Sequence, residues 1–292
     1  MKKILALLLA VLLIISLTAC KNDNGEEPSS TINSGNETSS NITSSDIVSS
    51  YQKPERVPYE PAKTVSDYFD ALTYYDKTTD TNLEYLFHEP LRDTGKEYPM
   101  LIFLHGLFEE MSLNSLGTAG SMVETLMYYE NNLERYSIYT LIPSTPLPSE
   151  GWWQDNQLNA LKKLIEVLCE GYKIDKKRIY ISGISMGGMT TCQLLDEMPK
   201  DTFAAAATFS GVSNITNPEK LHNTAIRIYH AQNDETVSPA SSRNLHQQLI
   251  NSGHQNVQYT EFEGGDHLSA IKTVFTRQRL EFLDWLFAQK LP

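Results

Sequence analysis

The sequence predicts an α/β protein with a mostly parallel central sheet flanked by helices, and three observations support this prediction. Continuous apolar runs such as residues 100–105 are typical of strands buried on both faces. From about residue 65 these runs alternate with segments of helical spacing. Turn residues such as Pro143, Gly171 and Gly253 lie at or near the ends of these segments. Strands that alternate with helices need crossover connections, which favour parallel pairing.

The first half of this pattern begins with two segments rich in Tyr, Leu and Phe, residues 70–75 and 83–88, which predict an antiparallel hairpin. Residues 136–142 predict a strand that Pro143 ends. Apolar residues spaced by three and four positions predict a helix over residues 154–170.

The second half of the pattern repeats the alternation. Short apolar runs predict four strands, and amphipathic spacing predicts three helices. The predicted strands are residues 178–182, 203–209, 225–230 and Val257–Phe262, and the predicted helices are residues 186–198, Pro239–Asn251 and 271–289.

Composition excludes several classes of protein. The chain has 292 residues, 24 Lys plus Arg against 36 Asp plus Glu, and a formal charge of −12, which argues against nucleic-acid binding. Hydrophobic residues make up 40%, enough for a large core, so the chain as a whole is not disordered. Three cysteines without paired spacing exclude a disulfide scaffold and a structural zinc site.

The first 19 residues have the pattern of a secretory signal peptide. Lys2 and Lys3 precede an apolar run, and small residues lead to Cys20. The segment resembles a bacterial lipoprotein lipobox, which implies that Cys20 is acylated and becomes the new N-terminus. We therefore expect an extracytoplasmic protein that a lipid at Cys20 anchors to the bacterial cell membrane, although an ordinary signal peptide with an incidental cysteine is the alternative.

Residues 20–64 are predicted to be a disordered linker. Residues 21–50 contain no aromatic residue, and Ser, Thr and Asn fill 17 of those 30 positions. Such a segment cannot bury enough apolar surface to offset its ordering entropy. The catalytic domain is accordingly assigned to residues 65–292.

The strongest chemical signal is the G-x-S-x-G pattern centred on Ser185, between Gly183 and Gly187. A serine hydroxyl is a weak nucleophile and must be presented to a base and a substrate together. A tight turn between a strand and a helix does this, and the flanking glycines avoid a clash. Residues 178–182 predict the strand before the serine, and residues 186–198 the helix after it. Ser185 is therefore the candidate nucleophile.

A serine nucleophile needs a histidine base, and five histidines follow Ser185. His267 lies after two glycines in the loop between the last predicted strand and the last helix, where the backbone can bring an imidazole over the serine. We therefore favour His267. The other four histidines stay open as alternatives: His222, His230, His246 and His254.

An acid is needed to orient the base and to stabilise its charged form. Asp234 lies in the segment 231–237, directly after the predicted strand 225–230, and is the preferred candidate, since the order serine, acid, histidine fits a serine elbow of this kind. Glu235 and Asp266 are the alternatives. Asp266 is next to His267 in sequence, and sequence neighbours rarely meet side chain to side chain.

The oxyanion of a tetrahedral intermediate needs two N–H donors. Met186 offers one at the start of a helix, and Leu107 offers the other after the strand that ends at His105, where Gly106 permits close approach.

His105, Gly106 and two tryptophans are further candidates for contact with substrate. Trp152 and Trp153 lie in a loop expected at the C-terminal edge of the sheet, where open α/β sheets bind ligands. The tryptophans could equally be core anchors, and His105 could equally be a buried histidine that orients its loop.

Taken together, His105, Gly106, the elbow, Asp234 and His267 resemble the α/β-hydrolase fold. The stretch 174–188, followed by residues 203–211, is similar to the esterase group of feruloyl esterases, polyhydroxybutyrate depolymerases and bacterial phospholipase/carboxylesterases. This resemblance covers about residues 95–288. One departure is that many relatives have His-Gly where this chain has His230 and Ala231.

The resemblance and the residues lead to one functional expectation and two alternatives. We expect a secreted, membrane-anchored serine esterase that needs no metal or cofactor and acts on a small-molecule ester or an ester linked to plant or cell-surface polysaccharide. A peptidase or acyltransferase on the same fold is the first alternative. A non-catalytic binding lipoprotein is the second.

Overall fold

The computed structural model of the chain describes residues 68–91, 94–107, 125–126, 136–145 and 151–292. The predicted signal peptide 1–19, the predicted lipidation site Cys20 and the predicted linker 20–64 lie outside the described residues. No helix within the described ranges combines the length and the apolarity that crossing a bilayer would need.

A hairpin opens the described chain and confirms the first predicted element. Strands β1 (Asp70–Asp76) and β2 (Thr81–His88) pair antiparallel. Asp76 makes the turn, because its carboxylate accepts hydrogen bonds from the Thr78 N–H at 3.0 Å and the Thr79 hydroxyl at 2.7 Å. Asp80 completes the turn in the left-handed region, with φ 51°.

Eight strands of the described chain form one sheet. The six strands after the hairpin are β3 (Tyr98–Leu104), β4 (Tyr139–Ser144), β5 (Ile174–Ile184), β6 (Ala205–Phe209), β7 (Ala225–Ala231) and β8 (Val257–Phe262). Their order across the sheet is β1-β2-β4-β3-β5-β6-β7-β8. β2 pairs antiparallel with β4, and every pair from β4 to β8 is parallel, as the sequence predicts.

Helices cover both faces of this sheet. One face packs against α1 (Asp155–Gly171), α2 (Met186–Glu197) and α3 (Pro239–Asn251), and the other packs against α4 (Ser269–Arg277) and α5 (Arg279–Phe287). β3 shows why its sequence is apolar throughout: Ile102 and Leu104 enter the first core, whereas Leu101 and Phe103 enter the second. Each such side chain contributes about 1.5–3 kcal/mol when fully buried.

The prediction that Pro143 ends its strand is wrong. β4 runs on to Ser144, and Pro143 lies opposite Tyr85 of β2. The parallel pairing of β4 with β3 stops at Leu141, so the missing N–H of Pro143 lies beyond the end of that ladder.

The prediction of one closing helix over residues 271–289 is also wrong. Gln278 leaves helical geometry, with φ −119° and ψ 15°, and separates α4 from α5. Across this break, Phe275 of α4 and Phe282 of α5 meet with ring centroids 5.2 Å apart in the same core. Periodicity alone does not show the break because both helices are apolar toward the same sheet face.

The parallel strands place the candidate residues at one edge of the sheet. Gly106 and Leu107 follow β3, and Ser185 follows β5. Asp234 follows β7, and His267 follows β8. Carboxyl ends of parallel strands lie at the same edge, which is where ligands bind in open α/β sheets.

Candidate active site

Ser185 occupies a sharp turn between β5 and α2. Its backbone has φ 55° and ψ −117°, a conformation that a non-glycine residue adopts at a cost of about 1–3 kcal/mol. The Ser185 N–H donates to the Phe209 carbonyl on the neighbouring strand β6 at 2.8 Å, which helps to hold the turn. A strained serine that the surrounding sheet holds in place is typical of a nucleophile elbow.

The glycines that flank Ser185 are required by close backbone contacts. A Cβ at Gly183 would lie 2.3 Å from the Gly187 carbonyl oxygen. A Cβ at Gly187 would lie 2.1 Å from the Leu104 carbonyl oxygen, at the end of β3. Any side chain at Gly187 would therefore separate the start of α2 from the end of β3.

The loop after β3 lies directly beside the nucleophile. The Cβ position of Gly106 is 3.5 Å from Ser185 Cβ. His105 is fully buried, donates from Nδ1 to the Gly106 carbonyl at 2.7 Å, and accepts the Thr145 N–H at Nε2 at 3.3 Å. Burial lowers the pKa of His105 and outweighs the opposing effect of the Gly106 carbonyl, so the ring is neutral.

This contact fixes the peptide that joins Gly106 to Leu107. A trans peptide directs its C=O and its N–H to opposite sides. Because His105 holds the Gly106 carbonyl, the Leu107 N–H is directed away from the imidazole. The Met186 N–H is the first of α2 and has no partner within the helix. Both predicted oxyanion donors thus belong to backbone segments that flank Ser185.

Asp234 lies buried in the loop after β7 and accepts four hydrogen bonds. Oδ1 accepts the backbone N–H groups of Thr236 and Val237, each at 2.9 Å. Oδ2 accepts from His267 Nδ1 at 2.7 Å and from His230 Nε2 at 3.0 Å. Burial raises the pKa of Asp234, but these hydrogen bonds outweigh it, and the pKa lies well below its usual range.

His267 approaches Asp234 through a loop that two glycines allow to turn. Gly264 and Gly265 are both left-handed, with φ 66° and 76°. Since Nδ1 faces Asp234, Nε2 is the nitrogen that remains for a proton, and the side chain is 18% exposed. Among the described residues no hydrogen bond joins Ser185 to His267, and such contacts often tighten only in the substrate complex.

The alternative acids have other environments. Asp266 accepts hydrogen bonds from the Leu268 N–H and the Ser269 hydroxyl, at 3.1 and 2.7 Å, so its carboxylate is bonded within its own loop just before α4. Glu235 is exposed. Only Asp234, among the three weighed, has its carboxylate bonded to His267.

Three of the four alternative bases contact residues outside the candidate site. His222 bonds the Ser252 carbonyl, His254 bonds the Leu221 carbonyl, and His246 packs beside Tyr259.

His230 differs from these three because it touches the candidate acid. It is fully buried on β7, with Nδ1 2.7 Å from Ser242 Oγ and Nε2 2.9 Å from the Val237 carbonyl. From the sequence, His230 was considered only as an alternative base. The position of His230 at the end of a predicted strand, four residues before Asp234, could have indicated its contact with the candidate acid. Nothing in the sequence indicated its contact with Ser242.

The structure corrects two expectations about substrate contact. Trp152 is fully buried in the core, with its ring 5.4 Å from the His105 ring, so it does not face substrate. The buried His105 side chain is likewise a support of the loop rather than a substrate contact. Trp153 is 41% exposed, and its ring lies over the backbone of Gly151.

A groove of about 490 Å³, which we term the uncharged groove, lies beside the elbow. Its exposed surface is mostly apolar, and the polar side chains in its lining are hydroxyls and amides. It is lined by Val212, Ser213, Asn214, Ser241, Asn244, Leu245 and Gln248. Gly211, just before Val212, packs so closely on the elbow that a Cβ there would lie 2.1 Å from the Ser185 carbonyl oxygen. The groove therefore begins next to the nucleophile.

Metal ligands do not gather anywhere in the described part of the chain. No group of three or more His, Cys, Asp or Glu side chains there could hold a metal ion.

Comparison with known proteins assigns the chain to a family. A model of the phospholipase/carboxylesterase family of α/β-hydrolases matches residues 116–284. No curated protein matches the chain.

Solved structures give the same architecture. A thermostable esterase is 31% identical with a TM-score of 0.68, and the match covers 77% of this chain but only 64% of that chain. A ferulic acid esterase is 16% identical with a TM-score of 0.59, covering 75% of this chain and 98% of that one. A ferulic acid esterase from the anaerobic fungus Anaeromyces mucronatus is 20% identical with a TM-score of 0.56, covering 80% and 94%. The last two likenesses show the fold alone.

Proposed function

Because the chain belongs to the phospholipase/carboxylesterase family of α/β-hydrolases, we propose that it is a serine hydrolase that cleaves carboxylic esters. Ser185 Oγ attacks the ester carbonyl while His267 Nε2 takes its proton, and Asp234 stabilises the resulting imidazolium. The N–H groups of Leu107 and Met186 bind the oxyanion. The alcohol leaves with the proton from His267, and an acyl-enzyme remains. Water, deprotonated by His267, then releases the carboxylic acid and restores Ser185.

The observation that carries this proposal is the bond from His267 Nδ1 to Asp234 Oδ2, at the same sheet edge as the strained Ser185. A binding protein needs neither a strained serine nor a histidine whose tautomer a buried carboxylate fixes. Since hydrogen bonds keep the pKa of Asp234 low, its carboxylate is charged at neutral pH and can stabilise a protonated His267.

The supporting contacts also suit transition-state stabilisation. One oxyanion donor typically contributes about 2.7–4 kcal/mol, provided that it is held in place before the reaction. His105 holds the Gly106 carbonyl, and the contact between Gly187 and Leu104 holds the start of α2 against the same loop. Both donors are thus fixed by buried structure.

For the substrate, we propose an ester that carries an uncharged polyhydroxyl group, such as an ester on plant or cell-surface polysaccharide. The uncharged groove supports this choice because the amide side chains of Asn214 and Asn244 in its lining can both donate and accept hydrogen bonds. None of the residues that line it is charged. The exposed Trp153 offers an aromatic face to a sugar or an aromatic acyl group.

For the location, we propose an extracytoplasmic enzyme that a lipid on Cys20 attaches to the bacterial cell membrane. The basic and apolar pattern of residues 1–19 supports export, and the cysteine directly after Ala19 supports lipidation. A linker of about 45 residues would let the catalytic domain reach roughly 35–40 Å from the membrane.

Hydrolysis assays test the activity and the substrate class separately. The wild-type chain is assayed on p-nitrophenyl acetate, methyl ferulate, acetylated xylan and an aminoacyl p-nitroanilide, with Ser185→Ala as the blank for each. We expect turnover of the esters, with acetylated xylan cleaved faster at equal ester concentration than methyl ferulate. Preference for the anilide would favour a peptidase, and no turnover of any substrate would favour a binding lipoprotein.

Mass spectrometry of the membrane fraction tests the anchor. We expect a diacylglyceryl group on an N-terminal Cys20 in the wild-type protein and its loss, with release from the membrane, in Cys20→Ala. Processing and membrane binding that are unchanged in Cys20→Ala would contradict lipidation.

A further inference from the structure

The buried histidine His230 has a specific relation to the candidate acid, and this inference rests on the proposed function. Its Nε2 lies within hydrogen-bond distance of two oxygens, Asp234 Oδ2 at 3.0 Å and the Val237 carbonyl at 2.9 Å. An ionised carboxylate and a carbonyl can only accept, so Nε2 carries a proton.

The other ring nitrogen determines the charge of His230. Nδ1 lies 2.7 Å from Ser242 Oγ, and this is the hydrogen bond that the structure gives to that hydroxyl. If Nδ1 accepts, the hydroxyl proton of Ser242 is satisfied and every polar atom of the ring has a partner. If Nδ1 instead carried a proton, the fully buried Ser242 hydroxyl would have no acceptor within the described structure. The neutral ring, protonated at Nε2, is therefore the form that fits.

The position of His230 on a strand gives its bond to Asp234 a distinct role. The two donors to Oδ1, the N–H groups of Thr236 and Val237, belong to the same loop as Asp234 and move with it. His230 belongs to β7, in the interior of the sheet. Its Nε2–H thus ties the Asp234 carboxylate to the rigid part of the protein, through the same oxygen that receives His267 Nδ1.

We propose that His230 is a positioning residue that holds Asp234 Oδ2 toward His267, and that Ser242 fixes the tautomer in which His230 can do so. The arrangement forms a buried chain from Ser242 through His230 and Asp234 to His267. A base that must swing between Ser185 and a leaving group benefits from a carboxylate that does not move with its loop.

Steady-state kinetics on p-nitrophenyl acetate test this role, with rates normalised to active sites titrated by a fluorophosphonate. We expect His230→Ala to lower kcat about 10- to 100-fold and to change KM less than about twofold. This range is the one typical in metalloenzymes when a group that orients a catalytic histidine is removed. His230→Gln should stay within about fivefold of wild type, because its amide nitrogen reaches about as far as Nε2 and can donate to Asp234.

His254→Gln is the matched control. His254 is also a buried histidine, but its ring bonds the Leu221 carbonyl at 2.9 Å and the Asn256 N–H at 3.2 Å, and neither belongs to the site. This variant should lose stability while it keeps the wild-type kcat per titrated active site. A general effect of losing a buried histidine would instead lower kcat in His254→Gln as well, and would overturn the proposal.

A double-mutant cycle shows whether His230 acts through Asp234. In an Asp234→Asn background, His230→Ala should lower kcat by less than about twofold further, because the carboxylate that it positions is gone. Should His230→Ala not fold, Ser242→Ala replaces it in the cycle, with an expected decrease of about threefold in the wild-type background alone. The inference would be overturned if the losses in kcat multiply in the double variant, or if His230→Ala and Ser242→Ala each keep the wild-type kcat.

Failure of this inference is distinguishable from failure of the proposed function. A wild-type chain that hydrolyses the ester and loses activity in Ser185→Ala retains the proposed function, whatever the His230 variants do. A wild-type chain without serine-dependent turnover overturns the proposed function, and the positioning role falls with it.

Discussion

The two sides of the candidate site are built by different means. On the nucleophile side, backbone contacts set the geometry: Gly187 packs on the Leu104 carbonyl, and the sheet holds Ser185 in a strained conformation. On the acid–base side, side-chain hydrogen bonds set the geometry, and Asp234 bonds His267 at 2.7 Å and His230 at 3.0 Å. One side depends on close packing and the other on a polar network.

This difference predicts different responses to mutation. Where a backbone contact leaves no room for one methyl group, adding a methyl group forces the backbone itself to move, because protein interiors are close-packed. A polar network loses about 1–3 kcal/mol for each bond to a charged group and can also be changed by pH. Apart from Ser185 and His267, which exchange the proton, we therefore expect packing variants on the nucleophile side to lose stability and activity together, and variants of the polar network on the acid–base side to lose them by degrees.

The largest effect should come from the two groups that exchange the proton. Ser185→Ala and His267→Ala should each lower kcat for p-nitrophenyl acetate by about 10³-fold or more. The double variant should be no worse than Ser185→Ala, because without the hydroxyl the base has no proton to take. Steady-state rates measured on purified variants of equal folded fraction check this.

Ser252→Ala is the control for this pair, since its hydroxyl donates to the Leu249 carbonyl, at the end of α3. It should keep the wild-type kcat. Losses that multiply in the double variant, or full activity of Ser185→Ala, would contradict the proposed pairing of nucleophile and base.

Much of the nucleophile side could be predicted from the sequence because local residue types determine it. The glycines around Ser185 are needed for contacts within a few residues or with one neighbouring strand. The apolar run of β3 and the strand before Ser185 are likewise visible as patterns, although β5 proves to begin at Ile174 rather than at residue 178.

The acid–base side was less predictable because its contacts join distant segments. That Asp234 rather than Glu235 or Asp266 meets His267 depends on how the loops after β7 and β8 turn. The bond from Ser242 to His230 joins α3 to β7, and no local pattern indicates it. Trp152 is buried against His105 whereas Trp153 is exposed, and residue types alone do not decide which of the two neighbouring tryptophans enters the core.

The second largest effect should come from the acid. Asp234→Asn should lower kcat about 10²-fold, less than loss of Ser185 or His267, because the remaining amide oxygen still accepts one hydrogen bond. It should also lower the free energy of unfolding by about 2 kcal/mol at neutral pH, since bonds to a charged acceptor are lost.

The stability difference should depend on pH in a defined direction. Hydrogen bonds from His230 and His267 outweigh burial and set the pKa of Asp234 below its unfolded value, which is about 3.9. Its stabilising contribution is therefore complete above that value and is lost as pH falls toward the folded pKa. Urea unfolding of wild type and Asp234→Asn from pH 7 to pH 3 should show curves that converge at low pH. A difference that widens on acidification would contradict the ionised, hydrogen-bonded carboxylate.

A third test compares two glycines. Gly187→Ala places a Cβ 2.1 Å from the Leu104 carbonyl, so we expect a loss of about 3 kcal/mol in stability and about tenfold or more in kcat as the elbow and the loop after β3 separate. Gly171→Ala, at the end of α1, meets no atom within 4 Å and should change stability by less than about 1 kcal/mol. Thermal unfolding and kcat are measured for both. Equal behaviour of the two variants would show that the elbow is not limited by close packing.

The smallest effect on turnover should come from the paired tryptophans, and it separates the support of the site from its rim. Trp152→Ala should cost about 3–5 kcal/mol of stability because it removes a fully buried ring that packs on His105. Trp152→Phe should cost much less, since the indole N–H has no hydrogen-bond partner in the described structure.

Trp153→Ala, at an exposed position, should change stability by less than about 0.5 kcal/mol and leave kcat for p-nitrophenyl acetate unchanged. It should raise KM about three- to tenfold for acetylated xylan, since aromatic contacts contribute about 1 kcal/mol. A KM for acetylated xylan that stays at the wild-type value would remove Trp153 from the candidate substrate contacts and leave, within the described residues, the uncharged groove as the candidate for recognition of the alcohol group.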